Sequence, residues 1–135
     1  MLTVVEKVLL LQDMEIFGFA QTEDLAQFAA VCRETEVSPG MTLFREGEIG
    51  RTLFLLVRGG IVLEKDGLEL EVVNRGGLDI WSFFADSEQK FTARAVEESL
   101  LLTITFDEIV DLLTSEPEFC WAITRQLAVI ARFED

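Results

Sequence analysis

Histidine is absent from this 135-residue chain, and with it the commonest general base and the commonest nitrogen ligand for metals. An enzyme is therefore not expected. Acidic pairs such as Glu97-Glu98 and Asp107-Glu108 exist, but adjacent residues diverge on a strand and Glu108 reads better as a helix cap. Cysteine is nearly absent: Cys32 and Cys120 lie far apart, form no C-x-x-C pair and sit in helical apolar patterns, so they read as reduced core thiols. Basic residues are few, 11 against 25 acidic ones for a formal net charge of −14. They are scattered singly. Such a chain repels phosphate backbones, and direct nucleic-acid binding is not expected. No apolar run approaches the roughly 18 residues that suggest a membrane-spanning helix. The opening M-L-T-V-V-E-K-V-L-L-L-Q-D-M sets charges inside its apolar pattern, unlike a signal peptide. No membrane insertion and a cytoplasmic setting are expected. Internal repeats, low-complexity tracts and linkers are also missing.

What the chain does have is apolar residues, half of the total, at the size of one domain able to bury a core without disulfides or metal. Leu2, Val5, Val8 and Leu9 recur at helical spacing and predict an amphipathic lead-in helix. After Gly18, Thr22 predicts the cap of a second helix with Glu23 and Asp24 in its first turn and a buried stripe of Leu25, Phe28, Ala29 and Cys32. Beyond Cys32 the pattern shortens to strands. Pro39-Gly40, Gly47, Gly50, Gly59-Gly60, Asp66-Gly67 and Gly76-Gly77 punctuate it at intervals that fit an antiparallel barrel or jelly roll. Asp66-Gly67 marks the clearest hairpin. The alternation of Leu68, Leu70 and Val72 with Glu69 and Glu71 predicts one core face and one wet face.

Helical period returns at the end. Thr105 with Glu108 and Ser115 with Glu118 read as capping boxes, the second followed by Pro117 in a first turn. The first helix should bury Phe106, Ile109, Val110 and Leu113. The last carries a stripe of Phe119, Ile123, Leu127, Ile130 and Ala131 and another of Ala122, Val129 and Phe133. Two apolar faces predict packing on more than its own domain, with Phe119, Ile123, Leu127, Ile130 and Phe133 as interface candidates. The partners expected are a second copy of the chain or a larger parent chain, against the alternative that the helix lies deeper in its own domain.

These elements, in this order, resemble the cyclic-nucleotide-binding domain family, the fold of the catabolite-activator proteins and of protein kinase A regulatory subunits. M-E-I-F-G-F-A, Met14 to Ala20, stands where the family has a P-L-F-like motif. S-P-G-M-T-L-F-R-E-G-E-I-G-R, Ser38 to Arg51, and L-F-L-L-V-R-G-G-I-V, Leu53 to Val62, follow the next two family motifs. G-L-D-I-W, Gly77 to Trp81, partly matches the opening of the phosphate-binding cassette. F-T-A-R-A-V-E-E-S-L-L-L-T-I, Phe91 to Ile104, matches its close. The resemblance implies a mainly β domain with flanking helices: an antiparallel eight-stranded β-roll of the jelly-roll, double-stranded β-helix type. One domain over 1–135 would hold a helical lead-in over 1–32, the roll over 33–104 and two C-terminal helices over 105–135. The opening V-E-K-V-L-L-L-Q-D-M resembles members in which such a domain ends a longer protein, so an excised module is expected. The chain stops where family regulators add a helix-turn-helix.

Family members grip the nucleotide with a Glu on the ribose 2′-hydroxyl and an Arg on the cyclic phosphate. A planar guanidinium meets two phosphate oxygens, and a helix start supplies N–H donors. Aligned on Asp79 and Ala85, this chain has Ser82 where the family has Gly, Phe83 in place of the Glu and Phe84 in place of Leu. Aligned from T-A-R-A, Gln89 takes the Arg position, with Lys90 next to it. The pocket candidates are therefore Trp81, Ser82, Phe83, Phe84, Ala85, Gln89, Lys90, Phe91 and Thr92. Phe83 accepts no hydrogen bond, a loss of about 1–3 kcal/mol. A buried phosphate without its cation loses about 2–5 kcal/mol more. Lys90 offers a point charge, but strand alternation points it away from the face of Gln89. Cyclic AMP and GMP are thus disfavoured, and no cofactor is expected. If W-S-F-F-A stays extended, Trp81, Phe83 and Ala85 share one face and fill the nucleotide's space. The same aromatics read equally as plain core, or as the lining of a cavity for an apolar or uncharged ligand. Two functions remain: a regulatory or sensory module with a degenerate site, or an interaction domain.

Overall fold

The computed structural model describes residues 1–133. Two compact units form, one from Met1–Cys32 with the segment from Asp107 onward, the other from Arg33–Phe106.

The second unit is the expected antiparallel roll. Its strands are β1 (Arg33–Val37), β2 (Thr42–Phe44), β3 (Thr52–Arg58), β4 (Ile61–Lys65), β5 (Leu68–Val73), β6 (Gly76–Gly77), β7 (Thr92–Ala95) and β8 (Ser99–Thr105). They build two four-stranded sheets in the orders β1-β8-β3-β6 and β2-β7-β4-β5, every pairing antiparallel. Consecutive strands alternate between the sheets over most of the roll, so each sheet turns one face to a shared apolar interior. Val37, Phe44, Leu56, Ile61, Leu63, Leu78, Ala93, Ala95 and Leu101 fill that interior. The β4–β5 hairpin turns on Asp66 and Gly67, both at positive φ (53° and 79°), the conformation that an Asp-Gly pair favours.

One strand departs from expectation. Leu68, Leu70 and Val72 were to face the core, yet they keep 68, 54 and 51% of their surface exposed. β5 is the last strand of its sheet, and a bulge at Leu70 breaks its alternation, Leu63 lying opposite Glu71 and Glu64 opposite Glu69; only Val73 packs on the roll's core.

The first unit is helical. Its helices are α1 (Val4–Gln12), a 3-10 turn (Glu15–Phe17), α2 (Thr22–Val31), most of α4 (Phe106–Ser115) and α5 (Pro117–Phe133); α3 belongs to the roll. Phe17, Phe28 and Phe119 pack ring to ring, with centroids 5.1, 6.3 and 6.0 Å apart. The stripe Leu25, Phe28, Ala29 and Cys32 is buried as read. In α1, however, the core takes Val8 and Leu11 while Val5 and Leu9 face outward, because the helix starts later and turns a different side inward. Thr3, not Leu2, sets that start: its hydroxyl accepts from Glu6 N at 3.1 Å, and Glu6 Oε1 accepts from Thr3 N at 3.0 Å. In α4, Ile109 and Leu112 are buried, Phe106 and Leu113 are half-buried and Val110 is exposed.

Two caps also move. Thr22 is the first helical residue of α2, and Gln21 precedes it without a side-chain cap bond. Ser115 ends α4 rather than opening α5, because its hydroxyl donates back to Asp111 O at 3.0 Å and Leu112 O at 3.2 Å. Glu116 then takes the cap position, its carbonyl receiving Phe119 N and Cys120 N, and Pro117 follows in the first turn. The interface candidates split in the same helix. Phe119, Ile123 and Ile130 are buried and Leu127 is half-buried, so that stripe is this chain's own core, while Phe133 is 74% exposed. Cys32 is buried, Cys120 half-buried, and neither joins a disulfide. No helix among the described residues is long and apolar enough to cross a membrane.

Candidate functional site

The cassette runs from β6 to β7 and folds around the short helix α3 (Ile80–Phe84). W-S-F-F-A is therefore not extended. Trp81 and Phe83 fall on different sides of a helical turn: Phe83 is buried, Trp81 and Phe84 are half-buried and Ala85 is exposed. A short apolar run satisfies helix and strand equally, and here left-handed aspartates at both ends, Asp79 (φ 47°) and Asp86 (φ 52°), cut it to a single helical turn.

Phe83 points into the roll's own aromatic packing. Its ring meets Phe84 edge-on at 5.2 Å and Phe106 at 5.8 Å. Of the alternatives for these rings, plain core describes Phe83. Phe83 is thus a side chain committed to packing.

Asp79 ties the loop together. One carboxylate oxygen accepts from Ser82 Oγ at 2.9 Å, and the other accepts from Lys90 N at 3.0 Å. Ser82 in turn takes Ser87 N on its carbonyl at 3.0 Å. Beyond the helix, Gln89 N donates to Glu48 O at 2.7 Å and Gly47 N to Gln89 O at 2.8 Å, which pins the loop to the segment before β3. Thr92 closes the same corner by accepting Glu46 N on its hydroxyl at 3.1 Å. Phe91 is half-buried against the roll's core.

Gln89 is only 4% exposed, and its Oε1 is a buried acceptor with no hydrogen-bond partner among the described residues. Its amide lies against Gly50, where any Cβ would collide with Gln89 Nε2. Lys90 beside it is exposed, although no strand alternation separates the two, since β7 begins only at Thr92. An open hollow at this corner is lined by Glu46, Gly47, Lys65, Ser87, Glu88, Gln89 and Lys90. Both charges are present there, and the carboxylates offset the ammonium groups.

Arg51 escaped the sequence reading. Its guanidinium lies over the Phe106 ring at 4.7 Å and pairs with Asp86 at 2.9 Å, while its carbonyl accepts Phe106 N at 2.8 Å. This guanidinium is therefore engaged by a carboxylate of the loop itself. Nothing local signals this pair, since its members are joined only by the fold. Among the described residues no cluster of acidic or thiol side chains is arranged to hold a metal ion.

The described residues thus form an antiparallel eight-stranded roll with a one-turn helix between its sixth and seventh strands. The sequence profile described as Cyclic nucleotide-binding domain matches residues 34–116, and the chain belongs to that family. Among solved structures it is similar to the N-terminal domain of a transcriptional regulator from Streptomyces coelicolor A3(2), at 28% identity and TM-score 0.82 over 91% of this chain and 92% of that one. Catabolite activator protein of Thermus thermophilus matches at 22% identity and TM-score 0.73, over 87% of this chain and 58% of that one. The regulatory domain of Toxoplasma gondii protein kinase A, solved with cyclic AMP, matches at 14% identity and TM-score 0.79, over 96% and 49%. The last two likenesses concern the fold alone. No curated protein matches the sequence.

Proposed function

We propose that this chain is a cytoplasmic regulatory module whose cassette is closed on its own side chains and does not hold cyclic AMP or GMP in the family's manner. The observation that carries the reading is Gln89, an uncharged side chain buried in the cassette, which the T-A-R-A register aligns with the guanidinium that meets phosphate in the family. Its unpartnered atom is an acceptor, and a phosphate offers it only further acceptors. Phe83 adds a second obstacle, since its ring accepts no hydrogen bond. Losing the charged partner costs about 2–5 kcal/mol, and losing the ribose acceptor about 1–3 kcal/mol. At about 1.4 kcal/mol per tenfold, a micromolar site becomes millimolar or weaker. The net charge of −14 opposes an anionic ligand further.

Titration calorimetry with cyclic AMP, cyclic GMP and cyclic dinucleotides tests this. The expected result is no heat of specific binding at micromolar ligand; saturable micromolar binding of any of them overturns the reading. A less charged ligand in the roll would appear in native mass spectrometry as a mass that survives gentle desolvation.

A second reading, an interaction domain, is favoured by the outer side of α5, where Trp121 (61% exposed), Val129 and Phe133 leave apolar surface in solvent. A second copy or a larger parent chain are the partners to test. A concentration-dependent sedimentation coefficient, abolished by Trp121→Glu, would support the dimer.

A further inference from the structure

Gln89, one wall of the open hollow beside the cassette, carries the single buried side-chain polar atom among the described residues that finds no hydrogen-bond partner, its Oε1. The residue is 4% exposed. Its backbone is already engaged, the N–H donating to Glu48 O and the carbonyl accepting from Gly47 N. The amide nitrogen lies against Gly50, which is not a wall of the hollow, and the oxygen stands at the other end of the amide. A buried acceptor left alone costs stability and is ordinarily satisfied, so a donor from outside the chain suits this one.

The other walls carry both signs of charge. Lys65 and Lys90 are exposed ammonium groups and Glu88 is an exposed carboxylate, and none of the three makes an ion pair among the described residues. Glu46 is partly engaged, one of its oxygens accepting Asp66 N at 2.9 Å. A lone anion would answer the lysines but bring Gln89 only more acceptors; a lone cation would answer Gln89 and Glu88 but meet two ammonium groups. A molecule that bears both an ammonium and a carboxylate conflicts with neither. We infer that this hollow binds a small zwitterion of the α-amino-acid class, its ammonium donating to Gln89 Oε1 with Glu88 alongside and its carboxylate between Lys65 and Lys90. The hollow's volume, about 560 Å³, lies in the range of small-molecule clefts. The inference rests on the reading that the cassette does not hold cyclic AMP or GMP. It gives that module a ligand of no net charge, which the chain's own −14 does not repel.

The probes are the standard α-amino acids, titrated into the full isotope-labelled chain and read by amide shifts in heteronuclear NMR, with cyclic AMP titrated separately. The amino acid that binds most tightly is then compared with its N-trimethyl form, which has no N–H donor, and with its carboxamide, which has no carboxylate. At least one amino acid should shift the amides of Glu46, Gly47 and Ser87 to Lys90 saturably, and each altered form should bind about tenfold more weakly. Gln89→Leu should weaken binding about tenfold as well. Lys90→Glu, on an exposed side chain, should weaken it severalfold without changing the melting curve, which keeps the test alive if the buried variant fails to fold. Equal binding of either altered form, or shifts centred elsewhere, overturns the inference. Silence from every amino acid and from cyclic AMP, as when water alone serves the Gln89 oxygen, strikes this inference and leaves the reading beneath it standing. Saturable micromolar binding of cyclic AMP strikes that reading itself.

Discussion

β8 and β5 are both rich in leucine and valine or isoleucine, yet S-L-L-L-T-I-T is buried from Ser99 to Ile104 and L-E-L-E-V-V is exposed from Leu68 to Val72. β8 lies between β1 and β3, while β5 has β4 on one side and solvent on the other. The difference teaches that a strand's side-chain pattern describes its two faces, whereas its place in the sheet order decides whether either face is covered. Leucine at one address is core; at the other it is surface.

The sharpest way to break this comparison is a matched pair of truncations. Leu101→Ala, fully buried in the roll's core, should cost about 2–5 kcal/mol in urea unfolding, because the neighbours close only part of the space left behind. Leu70→Ala should stay within about 0.5 kcal/mol. Equal costs would mean that β5 is covered in solution.

A second pair uses the glycines that lead into β4 and β5. Gly59 sits at φ 113° with Ser99 Cα 2.6 Å from any added Cβ, so Gly59→Ala should cost at least the roughly 1–3 kcal/mol of backbone strain. Gly67 sits at φ 79° with nothing within 4 Å, so Gly67→Ala should lose only about 1 kcal/mol. Thermal melts of the two variants order them.

The helical unit offers the same contrast in charge. Glu6 and Asp24 each stand at the third position of a helix, yet their carboxyls move in opposite directions. Hydrogen bonds from the Thr3 backbone and hydroxyl hold Glu6 below its usual 4.5. Burial pushes Asp24 above its usual 3.8, and the charges of Glu116, Glu118 and Glu23 push it the same way, against the opposing Gln21 backbone hydrogen bond. The signs follow by linkage. Glu6 stabilises the fold above its unfolded value and loses that contribution as pH falls through its lowered one. Asp24 costs stability at neutral pH and recovers it as acid protonates it. Asp24→Asn should therefore raise the melting temperature at pH 7, with the gain shrinking as pH falls toward 4. The smallest expected effect is Glu6→Gln, which should lower the neutral melting point slightly, with the difference from the parent vanishing as pH falls through the lowered Glu6 value.

Much of the fold was legible in the sequence because its signals are local. Asp66-Gly67 specified the hairpin, and the stripe Leu25, Phe28, Ala29 and Cys32 specified the buried side of α2. The misreadings share one cause, a local pattern with two physical outcomes. Ser115 can cap the next helix or bond back into its own. A run such as W-S-F-F-A fits strand or helix until the aspartates at its ends choose. The Arg51–Asp86 pair and the Asp79 tie join residues brought together only by the closed loop, and no window of sequence contains them.

Gly50 carries a consequence for its neighbour across the corner. A methyl group there would run into the Gln89 amide, so alanine at 50 obliges that side chain to swing, and the change is felt first at the buried Oε1 that has no partner among the described residues.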